Sequence, residues 1–162
     1  DSKYIGYIFS GYSISMCLFS PVFGKMLTRL GRKRVIIIGC LCEGLAMISF
    51  GFFDYVDHPQ LYGVLSFCCR FIEGFGNGCL NSGASSIIAC DFEDNMGNLM
   101  GLTQTFTGLG MLSGPILGSI LFEAGGFKLP FFVTGGLLLS LIIPVSLYIR
   151  NDKQVRNERD SE

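Results

Sequence analysis

The sequence predicts an all-α fold, a polytopic bundle of membrane-crossing helices, and three observations predict it. Long stretches carry no Asp, Glu, Lys or Arg: Tyr4 to Gly24 runs 21 residues, Asn95 to Phe122 runs 28 and Leu129 to Ile149 runs 21. Two more are nearly as clean, Val35 to Phe53 with only Glu43 and Leu61 to Cys90 with only Arg70 and Glu73. The connections between these stretches are short and hold most of the remaining charge. Lipid demands uninterrupted apolar segments of about 20 residues, whereas a soluble core helix keeps a polar face. An ordinary soluble globule is therefore excluded. With 12 basic residues against 13 acidic, so is a nucleic-acid binder, which needs a net basic surface to neutralise phosphates.

The first element spans about 4–24. It is read as helix because barrel strands are about 10 residues of alternating polarity, half this length. A basic loop, Lys25–Arg34, follows. The second span, about 35–53, contains the single acid Glu43, and the acidic segment Asp54–Gln60 leads to the third, about 61–89. Cys90–Met96 joins that to the fourth, about 97–122, and Glu123–Lys128 to the fifth, about 129–149. Arg150–Glu162 is a charged tail without apolar periodicity.

Short loops rich in Lys and Arg stay cytoplasmic. Lys25, Arg29, Arg32, Lys33 and Arg34 lie in the first loop, and Arg150, Lys153, Arg156 and Arg159 in the tail, nine of the twelve basic residues. Four crossings separate the two, so both are expected in the cytosol and Asp54–Gln60 on the opposite side. The first residue is Asp1, and no signal-peptide pattern is present. The chain reads as a segment of something larger.

Aligned to itself at an offset of 94, the chain superposes Ser20-Pro21-Val22-Phe23-Gly24 on Gly114-Pro115-Ile116-Leu117-Gly118, and Gly31 on Gly125. The offset covers three crossings, so the two copies face opposite sides. That is the pattern of an inverted-topology repeat, in which equivalent three-helix units exchange inward and outward arrangements about a mid-membrane site.

The segment Gly24-Lys25-Met26-Leu27-Thr28-Arg29-Leu30-Gly31-Arg32-Lys33 resembles the major facilitator superfamily signature Gly-x-Leu-x-Asp-Arg-x-Gly-Arg-Lys, found between its second and third helices. Arg70-Phe71-Ile72-Glu73-Gly74-Phe75-Gly76 resembles the fourth-helix signature Arg-x-x-Gln-Gly-x-Gly, and Gly110 to Ser119 the fifth-helix signature of the antiporters. Gly101 to Gly135 looks most like the vesicular amine transporters, especially their polyamine branch. The resemblance implies that residues 1–150 are helices two to six of a twelve-helix transporter, a partial N-terminal six-helix half, and that 151–162 is a charged cytosolic linker. The first helix and the second half lie elsewhere. One departure matters: Thr28 replaces the signature's acid. Asp91 matches the acidic residue found in the family at the end of the fourth helix and is expected to latch to Arg29 or Arg32.

Arg70 is costly inside a span by at least about 2.5 kcal/mol, so it is expected to face water, a carboxylate or substrate. Glu73 lies three residues on, on the same helix face. Either the two belong to the proton-coupling or substrate apparatus, or they are a static ion pair that fixes packing. Glu43 is either a proton carrier or a glutamate facing a neighbouring helix. Gly110, Gly114 and Gly118 recur every four residues and offer a face that another backbone can approach, and Pro115 removes one backbone donor. The resemblance implies that this segment guards the path against leak.

The seven cysteines form no Cys-x-x-Cys pair and read as small apolar fillers. His58 is the only histidine, too few for a usual transition-metal site, and no metal or cofactor is expected. No catalytic triad fits spans with such short loops, so no enzyme is expected. The expected function is secondary active transport of small organic solutes by alternating access, with proton-coupled antiport of cationic amines or drugs the leading form. The partners are the bilayer, the solute, protons and the transporter's remaining helices. Carriage of organic anions at Arg70, or a membrane protein that has lost transport, are the other readings.

Overall fold

The computed structural model describes residues 2–53 and 58–149. The tail Arg150–Glu162 and the acids Asp54 and Asp57 lie outside the described residues. Among the described residues the chain forms α1 (Ser2–Leu30), α2 (Arg32–Phe52), α3 (Pro59–Asp91), a 3₁₀ turn at Glu93–Asn95, α4 (Met96–Gly125), α5 (Lys128–Ser140) and α6 (Ile142–Tyr148), with no strand. α5 and α6 are one apolar rod interrupted at Leu141. Pro144 accounts for the interruption. It has no N–H to give to the carbonyl of Ser140, and its ring crowds that carbonyl, where α5 stops.

The sequence-predicted order of five rods holds, and their ends run further than the apolar stretches. Lys25–Arg34 is not a loop: α1 continues to Leu30, α2 begins at Arg32, and Gly31 alone separates them. Lys, Met, Leu and Arg are good helix formers, so the helix persists beyond the last apolar turn. The chain reverses at Gly31 because φ 85° and ψ 155° lie in a region open in practice only to glycine. Gly126 repeats this geometry between α4 and α5, with φ 72° and ψ −164°. The self-alignment points to Gly125, so the repeat is shifted by one residue at its far end.

Four helices are long and apolar enough to cross a membrane: Gly6–Leu30, Arg32–Phe52, Glu93–Gly125 and Lys128–Tyr148. At 33 residues, or about 50 Å, α3 has ample length. It is not among the four, since Ser66, Arg70, Glu73, Asn77 and Asn81 lower its hydropathy. A helix of that composition is viable in lipid only when its polar face is turned to protein or water, and the packing does this.

α3 lies against both α1 and α2, and α2 lies in turn against α5. Glycines set the closest approaches. A Cβ at Gly39 of α2 would stand 2.8 Å from the Gly76 carbonyl oxygen of α3, and one at Gly135 of α5 would stand 2.9 Å from the Gly44 carbonyl oxygen of α2. Aromatic rings fill the wider parts. Phe19 and Phe23 of α1 meet Phe75 of α3, and Phe50 of α2 stacks on Phe131 of α5.

α4 stands apart. None of its residues is buried, and a methyl group at Gly110, Gly114 or Gly118 would meet nothing within 4 Å. The close backbone contact expected of this glycine face is therefore not made by any described residue. Pro115 lies within α4, which continues on both sides of it.

Candidate functional site

The helix packing gathers the charged residues Glu43, Arg70 and Glu73, with several polar ones, into one cluster between α1, α2 and α3. Its centre is the pair Arg70 and Glu73, one turn apart on α3. Nη1 of Arg70 donates to both carboxylate oxygens of Glu73, at 2.9 and 3.2 Å. Glu73 is 5% exposed, and the Arg70 guanidinium carbon stands 5.2 Å from the centre of the Phe50 ring. The guanidinium thus meets a carboxylate along one edge and an aromatic face on another side. These are the two contacts that make a cation tolerable away from water.

Glu43 enters from α2. The sequence gives it no partner, and the structure supplies Asn77 of α3, whose Nδ2 donates to Glu43 Oε1 at 3.5 Å, the long end of a hydrogen bond. The other oxygen, Oε2, is buried and accepts no hydrogen bond from the described residues. Asn77 Oδ1 in turn accepts from Asn81 Nδ2 at 2.6 Å. Tyr12 of α1 lies within electrostatic range of Glu43, Glu73 and Arg70, and Glu43 within range of Glu73. Two further serines are buried, Ser15 at 0% and Ser66 at 1% exposure, and neither hydroxyl oxygen has a partner among the described residues.

Sequence reasoning selected Arg70, Glu73 and Glu43 by charge and passed over Tyr12, Ser15, Ser66, Asn77 and Asn81. A signal was present for α3. Ser66, Arg70, Glu73, Asn77 and Asn81 are spaced four, three, four and four apart, a polar stripe on one helix face. For Tyr12 and Ser15 no such signal exists, since α1 also carries Tyr7, Ser13 and Ser20, residues of the same kind that are exposed.

A second polar group lies at the end of the bundle where α1 gives way to α2. Arg32 Nη1 is 2.7 Å from Asp91 Oδ1, joining the start of α2 to the end of α3. Lys33 Nζ donates to the Ser146 carbonyl oxygen at 2.5 Å, joining the same turn of α2 to the end of α6. A lysine beside the last carbonyls of a helix also meets the negative end of its dipole. Arg29 is exposed, as is Gly24, and Thr28 donates back to the Lys25 carbonyl within α1. Of the two arginines expected to meet Asp91, the described pair is the one with Arg32.

All seven cysteines are free thiols. His58 precedes the first turn of α3, and no group of three His, Cys, Asp or Glu that could hold a metal occurs among the described residues.

The profile of the Major Facilitator Superfamily matches residues 1–162. The MFS-type transporter SLC18B1 of Mus musculus is 37% identical over 145 residues, covering 90% of this chain and 31% of the relative. The Danio rerio protein named "Probable vesicular acetylcholine transporter-B" is 29% identical over 93% of this chain and 31% of its own length. Multidrug resistance protein MdtG of Escherichia coli is 27% identical over 83% of this chain and 31% of its own length. The chain thus spans about a third of each relative's length, and no solved structure matches it significantly. Helical bundle, profile and relatives agree: the chain belongs to the major facilitator superfamily, whose members are transporters and not enzymes.

Proposed function

We propose that this chain forms helices two to six of a proton-coupled antiporter of cationic amines, nearest the vesicular polyamine type. The carrying observation is that two carboxylates, the buried Glu73 and the half-buried Glu43, share one cluster while only Glu73 is met by a cation. Arg70 is bonded to Glu73, which leaves Glu43 as the acid that a proton or an ammonium group can occupy in turn. Exchange of one for the other at a single carboxylate couples the two fluxes, because neither state needs a second charge in the span. The names of the amine and multidrug relatives support this solute class. An organic anion would need Arg70, whose guanidinium is already engaged by Glu73, so that reading is the weaker one.

In this scheme the end of the bundle bearing Gly31, Asp91 and the close of α6 faces the cytosol, and Arg32 with Asp91 latches it. Asp91 is 40% exposed on its side chain, so solvent screens the pair and its coupling is expected to be modest, about 0.5–1 kcal/mol. A double-mutant cycle of Arg32→Ala and Asp91→Ala, read by thermal unfolding in detergent, measures it. Additive single effects would remove the latch.

The function itself is tested with the full-length protein in acid-interior liposomes, supplied with radiolabelled spermidine as a representative polyamine. Uptake is expected to collapse when nigericin dissipates the proton gradient, and Glu43→Gln is expected to lower it at least about tenfold, the effect of about 1.4 kcal/mol at the site. Uptake indifferent to the gradient, or a Glu43→Gln protein equal to wild type, would sink the proposal.

A further inference from the structure

The hydrogen bonds beside Glu43 form an ordered chain whose direction is set by the backbone. Asn81 Nδ2 reaches two oxygens on Asn77, the main-chain carbonyl at 3.0 Å and the side-chain Oδ1 at 2.6 Å. A main-chain carbonyl only accepts, so the Asn81 atom facing it must be the NH₂ nitrogen. The Asn77 atom facing that nitrogen must then be the carbonyl oxygen. It follows that the other end of the Asn77 amide, the end turned to Glu43, is the donor. The orientation of an asparagine amide is ordinarily ambiguous between its two ends; here one fixed acceptor on α3 settles two amides in sequence.

We propose that Asn77 and Asn81 are positioning residues for Glu43, Asn81 holding the Asn77 amide so that its N–H engages Oε1 and leaves Oε2 as the oxygen that receives the exchanged cation. This rests on the reading of Glu43 given above. Oε2 suits the role because it is buried and no described residue donates a hydrogen bond to it, so a proton or an ammonium N–H can engage it. The titratable groups within electrostatic range of the Glu43 carboxylate are Tyr12 from α1, Cys40 from its own helix α2 and Glu73 from α3. None of them is recorded in a hydrogen bond to Glu43, whereas Asn77 is. The isosteric change Asn81→Asp reverses the chain, because a carboxylate can only accept. The Asn77 amide would turn its N–H to the new carboxylate and its carbonyl to Glu43.

Two measurements on the full-length protein test this. Infrared difference spectra of the protein in bilayers, taken between acid and neutral pH, contain a carboxyl C=O band that Glu43→Gln removes. Its frequency reports the hydrogen bond to that carboxyl whether or not the protein transports amines. The band is expected to move in Asn77→Leu and in Asn81→Asp, to stay in place in Ser66→Ala, and to return towards its original position in Asn81→Gln, which keeps the amide donor. In liposomes, Asn81→Asp is expected to raise KM for spermidine roughly tenfold, the loss of one hydrogen bond to a charged group, with a smaller change in kcat. A band at its wild-type frequency in both Asn77→Leu and Asn81→Asp overturns the positioning role. A shifted band in a wild-type protein that shows no gradient-driven uptake keeps the positioning role and overturns the transport reading instead.

Discussion

Removing the Glu73 carboxylate alone is expected to be among the most damaging single changes in this chain. Glu73→Leu leaves the Arg70 guanidinium in the span without the carboxylate it now straddles. An uncompensated buried charge costs about 3–5 kcal/mol, comparable with the whole stability of a small domain. Arg70→Leu leaves the opposite charge and is expected to cost a similar amount. The double replacement, Arg70→Leu with Glu73→Leu, removes both charges and is expected to restore most of the folded yield, as apolar replacement of buried ion pairs does elsewhere. The contrast separates the two roles open for the pair. If it only fixes packing, the double variant transports; if it serves the solute or the proton, the double variant folds and is inactive. Fluorescence-detected size exclusion measures the first quantity and liposome uptake the second. Arg70→Lys is the gentler probe. Glu73 is met by one nitrogen, Nη1, which an ammonium can imitate, but the flat contact with Phe50 is lost.

The second large effect is expected at Gly76 and sets it against Gly114. A Cβ at Gly76 would lie 2.9 Å from the Glu43 main-chain nitrogen and 3.0 Å from the Gly39 carbonyl oxygen, both backbone atoms of α2. Backbone cannot rotate aside as a side chain does, so Gly76→Val must part the two helices. Overpacking typically costs about 1–3 kcal/mol, and the loss is expected at the upper end here, with a thermal midpoint several degrees lower by roughly the usual conversion. Transport is expected to fall with it, because the same displacement moves Glu43 from Asn77. Gly114→Val meets open space among the described residues and is expected to leave folding and insertion intact while uncoupling transport. Coupled exchange retained by Gly114→Val would refute a gating role for that face. An unchanged midpoint in Gly76→Val would show that the α2 and α3 contact is softer than its glycines imply.

Much of the fold was legible because lipid imposes a coarse rule: uncharged length gave the number and order of the rods. Their ends were less legible, since helix propensity carries α1 through Lys25 and Arg29, where charge alone suggested a loop. Of the cluster, only the charged members could be named, as charge in a span is conspicuous and an asparagine or serine is not. The pairing of Glu43 with Asn77 links residues 34 apart and depends on which face of α2 turns to α3, a choice made by Gly39 and Gly76 through contact. The Arg32 and Asp91 pair was legible from a signature rather than from physics, and Lys33 with Ser146 was not legible at all, because one partner is a backbone carbonyl that any residue would provide.

α2 is held by main chain on two sides, at Gly39 against Gly76 and at Gly44 against Gly135, and Glu43 sits between those two contacts. The carboxylate is thus anchored to a part of the molecule that has almost no freedom to drift as its sequence changes. Selectivity for solutes of different length or charge would then have to diversify on the surrounding helices, by altering what lies opposite the acid rather than where the acid stands. The expected record of such diversification is variable residues facing Glu43 across an invariant glycine frame.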